Sequence, residues 1–167
     1  ENTGISFIDG TKLIVCHNKR IPSHKVFKDL AQRSKDSVGW YYGFKIHLLI
    51  NHLGEIITFR ITPANIDERV IAKELVKGLK GKVYGDKGYV SKELKKDLEN
   101  VDFIARKRNN MKKDILNEYV CQVDHSRHRS IPNFFVNVIA AITAYSFIKQ
   151  KPSIKLQDLK FQPLVIF

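Results

Sequence analysis

The sequence predicts an α/β fold in which helices pack on a mixed β-sheet that begins with an antiparallel hairpin. Two observations predict this class: apolar, β-branched runs dominate the first third of the chain, and helical patterns then alternate with short strands. A length of 167 residues favours one domain, and 43% hydrophobic residues suffice for a buried core. We expect residues 1–150 to form this domain and residues 151–167 to form a C-terminal tail.

The first strands are read from alternation and from a turn signal. SFIDGTKLIVCH, residues 6–17, is apolar and β-branched, and in an extended chain Asp9 shares one face with Phe7, Thr11 and Leu13. Residues 18–37 are polar and basic, which is typical of a loop that is partly helical. Two β-rich runs follow, GWYYGFKIHLLIN and EIITFRITPAN, and the short connection HLG between them predicts a hairpin.

An amphipathic helix is predicted next. In DERVIAKELVKGLKG, residues 67–81, apolar residues recur every three or four positions. Asn65 or Asp67 is the candidate N-cap, and Gly81 is the expected end of the helix. The short apolar run KVYG then predicts a strand, which ends at GDKGY.

The last third of the chain predicts further helices and one strand. SKELKKDLEN, residues 91–100, is helical in pattern, VDFIARKR, residues 101–108, is strand-like, and residues 109–124 are ambiguous. The apolar run FFVNVIAAITAYSFI is shorter than the roughly 20 residues that a membrane span needs. It is therefore interpreted as a buried core helix, with Ser130 and Pro132 in the cap and first-turn positions.

The charge balance points to a polyanionic partner. The chain has 29 Lys and Arg against 17 Asp and Glu, a formal charge of +12. Such an excess creates a long-range positive field, for which nucleic acid is the first expected partner and an acidic membrane surface the second. Cys16 and Cys121 form no CxxC pair, which argues against a disulfide scaffold or a zinc finger and indicates a reducing, cytoplasmic setting. Because Met111 is the only methionine, we expect an N-terminal portion to be missing.

Asp9 and Asp86 are the candidate chemical residues, because each lies within or at the end of an apolar strand. An unpaired buried carboxylate is costly, so each needs a partner. One interpretation is structural: a salt bridge to Lys12 or Lys87, or a turn cap. The other is that both ligate a hard cation, Mg²⁺ or Mn²⁺, for phosphodiester chemistry. Position alone favours the structural interpretation.

A family resemblance reverses that preference. The stretches IDGTKLIVCHNKRI, GWYYGFKIHLLINHLGEIITFRITPANIDE, GKVYGDKGYVSKEL and HSRHRSIPNFFVN resemble the transposases of bacterial insertion sequences. This is the DDE superfamily, whose catalytic domain is RNase H-like, and the resemblance runs from about Phe7 to about Ile148. It implies an RNase H-like mixed sheet. It also implies DNA transposition, in which DNA is cleaved at the ends of the mobile element and the free 3′-OH is joined to target DNA.

The resemblance assigns roles to the two aspartates. Asp9 matches the first catalytic aspartate and Asp86 the second, which implies that both bind Mg²⁺ or Mn²⁺. The family more often has Ser where this chain has Gly10. Lys87 is expected to neutralise or contact phosphate, whereas core packing is preferred for Tyr89.

The third catalytic carboxylate is not matched. The family carries a glutamate on a helix before the HSRHRS motif, and here that segment is deleted near residues 109–120. Glu118 is the only nearby glutamate; it does not align, and it can serve only from a shifted helix, while Asp114 is a weaker candidate. The chain is therefore expected to be a DDE transposase domain that is active or has lost catalysis. The alternatives are a non-catalytic DNA-binding remnant and a metal-dependent nuclease.

Basic stretches near the C-terminal helix are expected to contact DNA phosphates, with a solvated face as the alternative. They contain Arg106, Lys107, Arg108, Lys112, Lys113, Arg127 and Arg129. Lys45 shares a strand face with His47 and is expected to point either to DNA or to solvent. For His47 and His52 a packed, hydrogen-bonded role is preferred over metal ligation. The resemblance further implies a homo-oligomer on DNA.

Overall fold

The computed structural model describes residues 3–89, 100–106 and 130–151. The described strands are β1 (Ile5–Cys16), β2 (Gln32–Lys35), β3 (Trp40–Asn51), β4 (Ile56–Pro63), β5 (Gly81–Asp86) and β6 (Val101–Arg106). The described α-helices are α1 (Glu68–Leu75) and α2 (Ile131–Phe147), and 3-10 turns span Asn18–Ser23 and Lys87–Tyr89.

All six strands belong to one mixed sheet. β3 is antiparallel to β1, β2 and β4, whereas β5 runs parallel to β1, and β6 runs parallel to β5. The strand order is β2-β3-β1-β5-β6, with β4 also paired to β3. An antiparallel hairpin, a parallel extension and flanking helices confirm the predicted α/β, RNase H-like fold class.

β2 and β4 share one edge of β3, because β1 pairs along the other edge from Tyr42 to Asn51. β4 pairs with Phe44–Ile50, and β2 pairs with Trp40–Gly43. The loop predicted for residues 18–37 is therefore partly wrong, since it contains β2 as well as the 3-10 turn. Every residue of β2 is exposed or only partly buried, so pairing with β3, not burial, makes this segment a strand.

The core lies on both faces of the sheet. On the α2 face, Leu13 packs with Phe44 and Leu48 of β3 and with Phe134 and Val138 of α2. On the α1 face, the buried residues are Ile8, Leu49, Ile71, Ala72, Leu75, Val76, Val83, Tyr89, Val101 and Phe103. Strand alternation therefore gives β1 two buried faces, and helices cover both.

The helix caps follow the predicted chemistry. Asp67 is the N-cap of α1, and its carboxylate accepts a hydrogen bond from the backbone N–H of Arg69 at 2.9 Å. α1 ends at Leu75, so the predicted end at Gly81 is wrong; Gly81, with φ of 106°, is the first residue of β5. Ser130 caps α2 as predicted, accepting from the backbone N–H of Asn133 at 3.4 Å.

Two predicted segments lie outside the described residues: the helix at 91–100, apart from its last residue, and the ambiguous segment 109–124. α2 packs one face on the sheet, whereas Val136, Ile139 and Phe147 are exposed, so the predicted buried core helix is buried on one face only. Within the described part of the chain, no helix has the length and apolar content required to span a membrane.

Candidate active site

Asp9 and Asp86 occupy neighbouring positions on adjacent parallel strands. The register of β1 and β5 ends with Ile8 opposite Gly85, and the next residue on each strand is an aspartate. Two positions earlier, Phe7 stacks on Tyr84 with ring centroids 5.3 Å apart. Because side chains alternate along a strand, both aspartates lie on the same face as this aromatic pair.

The spacing of the strands brings the two carboxylates within reach of a common ligand. Neighbouring strands lie about 4.8 Å apart, and both Asp9 and Asp86 are partly buried. Asp86 is also the last residue of β5, and ligands of open α/β sheets bind beyond the carboxyl ends of the strands. Two carboxylates are a donor set suited to Mg²⁺, which keeps several of its waters.

Lys12, the salt-bridge partner considered for Asp9, is engaged elsewhere. Lys12 lies on the opposite face and pairs with Asp36, with 2.7 Å between its Nζ and Oδ2. This hydrogen bond is the main reason that the pKa of Asp36 is lowered. Asp9 itself accepts the backbone N–H of Gly10 at 2.8 Å through Oδ1. The expectation that Lys12 neutralises Asp9 is therefore wrong.

A third metal ligand is not found in the described ranges. There, no group of three or more His, Cys, Asp or Glu side chains is arranged to hold a metal ion. Glu118 and Asp114 lie outside these ranges. The described residues thus supply an aspartate pair, and the role of Glu118 stays a prediction.

A buried hydrogen-bond chain lies beneath the aspartates on the α1 face. Tyr89 is 2% exposed, and its hydroxyl lies 2.9 Å from Nδ1 of His47, which is fully buried. Nε2 of His47 lies 3.0 Å from the hydroxyl of Thr62. Burial, with a smaller contribution from Lys45, lowers the pKa of His47 to about 4, so the imidazole is neutral near pH 7.

The same burial keeps Tyr89 protonated. Its pKa is raised, first by burial and then by the charges of Glu68, Asp9 and Asp86. A buried neutral phenol and a buried neutral imidazole pack and hydrogen-bond in the protein interior. The core-packing preferences stated for Tyr89 and His47 are confirmed.

Two glycines make room beside the aspartates. A Cβ on Gly10 would overlap the Tyr89 hydroxyl, and a Cβ on Gly85 would lie 2.6 Å from Cγ2 of Ile8. Gly10 follows Asp9, and Gly85 precedes Asp86. The absence of side chains therefore lets Tyr89 and Ile8 pack directly against the backbone that carries the two carboxylates.

Two other predicted residues have identified partners. Lys45 donates to Glu68, the first residue of α1, with 3.1 Å between Nζ and Oε1, and both side chains are partly buried. Lys45 is therefore engaged within the protein, and its contact with DNA stays a prediction. Nδ1 of His52 lies 2.8 Å from the hydroxyl of Thr3, consistent with the expected hydrogen-bonded role.

The predicted basic cluster is mostly outside the described part of the chain. This holds for Lys107, Arg108, Lys112, Lys113, Arg127 and Arg129, and for the side chains of Lys87 and Arg106. Their contacts with DNA stay predictions.

A different basic cluster was not singled out from the sequence. Residues 19–35 carry six exposed cations and one acidic residue. Two of the cations flank Trp40, which is 55% exposed: the Arg33 guanidinium carbon lies 5.3 Å from the ring centroid and Lys35 Nζ lies 5.9 Å from it. In the sequence, the feature that indicates this cluster is a tryptophan close to alternating cations in QRSKDSVGW.

Comparison with known proteins now adds an independent observation. The sequence model of a family described as a transposase DDE domain matches residues 1–119 of this chain. The matched part contains both aspartates, β1 to β6 and the Tyr89–His47 pair. A comparison with curated proteins gives no match.

Proposed function

Because the chain belongs to the transposase DDE domain family, we propose that it cleaves DNA and transfers DNA strands with the help of a divalent cation. The observation that carries this proposal is the adjacency of Asp9 and Asp86 on parallel strands. The formal charge of +12 supports DNA as the substrate, since cations along a surface bind the phosphate backbone.

In this proposal Asp9 and Asp86 hold Mg²⁺ or Mn²⁺. The chemistry that such a cation supplies is activation of the attacking oxygen and stabilisation of the leaving oxygen during phosphodiester exchange. The protein's task is to fix the two carboxylates. The Gly10 N–H orients the Asp9 carboxylate, and the contact of Ile8 with Gly85 sets the approach of β1 to β5.

Metal binding tests the carboxylate assignment without relying on activity. We expect Asp9→Asn and Asp86→Asn each to weaken Mn²⁺ binding, measured by isothermal titration calorimetry, by at least about tenfold, because altered ligand environments commonly cost 10–100-fold. Asp102→Asn is the matched control, since Asp102 is exposed near the start of β6. Unchanged Mn²⁺ affinity in both active-site variants would remove the assignment.

A DNA assay tests the reaction. The full chain is incubated with Mg²⁺ or Mn²⁺ and labelled DNA that carries the ends of the corresponding mobile element. Cleavage followed by joined products is expected for a transposase. Nicks without joined products would instead identify a metal-dependent nuclease. Loss of cleavage and of joined products in Asp9→Asn would show that the reaction takes place at this site.

A second candidate function is DNA binding without catalysis. It is favoured by one observation on the sequence: the segment that carries the third catalytic glutamate in the family is not matched here, and Glu118, the only nearby glutamate, does not align with it. Binding of end-containing DNA with no cleavage in either metal would support it over the active enzyme. In both cases we propose assembly as a homo-oligomer on DNA, which the mass of the complex by light scattering after gel filtration would test.

A further inference from the structure

An exposed tryptophan, Trp40, lies among cations at the start of β3. Trp40 is 55% exposed, and Arg33 and Lys35 approach its ring from the neighbouring strand β2. The register pairs Lys35 directly with Trp40, and Arg33 with Tyr42, two positions further along β3. Arg33, Lys35 and Trp40 are called the tryptophan platform below.

The turn beside the platform is held by several hydrogen bonds. Asp36 joins the turn through its backbone N–H, which donates to the Gly39 carbonyl at 3.0 Å. Its side chain accepts from the backbone N–H groups of Val38 and Gly39 at 2.8 and 2.9 Å, and from Lys12 at 2.7 Å. A pre-ordered platform loses little conformational entropy when a ligand binds.

The platform lies on the same sheet face as the aspartates. The β3 residue opposite Asp9 is Leu48, and Trp40 is eight positions before it. An even offset keeps both side chains on one face, and eight residues span about 27 Å at roughly 3.4 Å per residue. Between them, Phe44, Ile46 and Leu48 are buried in the core beneath α2, so the platform is a contact surface separate from the aspartates.

We infer that the tryptophan platform is a second contact for DNA, where Arg33 and Lys35 bind phosphates and the Trp40 indole stacks on an unpaired base. The inference rests on the proposed function, because it presumes that DNA is the partner. Its own support is the combination of stacking surface and positive charge, the two features that single-stranded nucleic acid requires of a protein. The charge around the platform also supports binding of nucleic acid, because residues 19–35 carry six exposed cations.

Trp40 reports on its own contact, because it is the only tryptophan of the chain. A 20-nucleotide thymidine strand is titrated into the full protein while two signals are followed: tryptophan fluorescence, and the anisotropy of a dye on the DNA. Stacking predicts that the fluorescence is quenched in parallel with the rise in anisotropy. Inorganic polyphosphate, which has charge but no bases, is expected to bind without comparable quenching.

Variants separate stacking from charge. Trp40→Ala is expected to weaken binding of the thymidine strand by about 5-fold to 150-fold, the range that corresponds to the loss of one stacked base. Arg33→Ala with Lys35→Ala should reduce the slope of log K against log salt by about 1.4, which is two phosphates at about 0.7 each. Lys73→Ala with Lys77→Ala is the matched control: both lysines are exposed, in or just after α1 on the opposite side of the sheet.

The outcomes distinguish this inference from the proposed function. Binding without quenching, with Trp40→Ala and the Arg33/Lys35 variant behaving like the wild type, would overturn the platform and leave DNA as the partner. Equal quenching by polyphosphate would overturn the stacking contact. Absence of any DNA binding would overturn both proposals.

Discussion

Tyr89 and His47 form a hydrogen bond in the protein interior, with 2.9 Å between the phenol oxygen and Nδ1. Tyr89 lies in the turn that follows Asp86, and His47 lies opposite Gly10 in the register of β1 and β3. The bond therefore joins the turn after one aspartate to the strand that carries the other. Because both groups are buried and neutral, they provide a fixed support and not a titrating group at neutral pH.

The first prediction is a loss of stability in mild acid. The pKa of His47 is about 4 in the folded protein against 6.5 ordinarily, so between these values the unfolded chain binds a proton that the folded chain does not. Stability is then complete above about pH 6.5 and falls as pH drops towards 4, by up to about 3 kcal/mol for this group. Urea unfolding between pH 7.5 and pH 4.5 measures this loss.

His47→Gln provides the control for this pH dependence. The pKa of His24 is also lowered by burial, so the wild-type curve contains more than one histidine. The difference between wild type and His47→Gln isolates His47, and it should shrink as pH falls from 7 towards 4.5. A constant difference across this range would show that His47 is not held neutral by the fold.

The second prediction concerns the Tyr89 hydroxyl. Tyr89→Phe keeps the ring but leaves the buried Nδ1 of His47 without its partner, so we expect a loss of about 1–3 kcal/mol in the free energy of unfolding. In a His47→Leu background, Tyr89→Phe should lower the free energy of unfolding by less, because no ring nitrogen is then left without a hydrogen-bond partner. Equal costs in the two backgrounds would mean that the hydrogen bond contributes nothing specific.

The third prediction concerns the Asp67 cap of α1. Asp67→Ala removes the acceptor for the Arg69 backbone N–H and is expected to cost about 1 kcal/mol, whereas Asp67→Asn, which keeps a capping oxygen, should cost less at neutral pH. The Arg69 hydrogen bonds lower the pKa of Asp67 to about 2. The charge-dependent part of this stability is therefore present above about pH 4 and is lost as pH falls towards 2, below the window of His47.

Much of the fold follows from local pattern. The face shared by Phe7, Asp9 and Leu13 is set by alternation, and both caps, Asp67 and Ser130, are set by side-chain oxygens at helix starts. The hairpin turn was also predicted, since β3 and β4 are joined through His52-Leu53-Gly54. These features depend on residues that are only a few positions apart in the chain, so they can be predicted from a single sequence.

Other features depend on partners that are distant in the chain. β2 is polar throughout and becomes a strand only by pairing with β3. Lys45 pairs with Glu68 of α1, and Lys12 pairs with Asp36 and not with Asp9. Both ion pairs join residues that are more than 20 positions apart and come together only in the folded chain. The platform around Trp40 was missed for the same reason: Arg33 and Lys35 approach its ring only when β2 is paired.

The final prediction tests whether close packing sets the spacing of the two aspartates. In Gly85→Ala, the new Cβ would meet Cγ2 of Ile8 at 2.6 Å and a ring carbon of Phe103 at 3.3 Å. Overpacking of this kind typically costs about 1–3 kcal/mol. Since β1 must then move away from β5 next to Asp9 and Asp86, we expect weaker Mn²⁺ binding as well as lower stability to urea.

Ile8→Ala supplies the matched relief, because it removes the Cγ2 atom that a Cβ at Gly85 would meet. Ile8→Ala alone should cost about 2–5 kcal/mol through the cavity that it leaves. The double variant should be more stable than the sum of the two losses predicts, because the added methyl fills part of that cavity. It should also bind Mn²⁺ more tightly than Gly85→Ala. Strict additivity of the unfolding free energies, with unchanged Mn²⁺ affinity in all three variants, would show that the contact between Ile8 and Gly85 does not control the separation of the carboxylates.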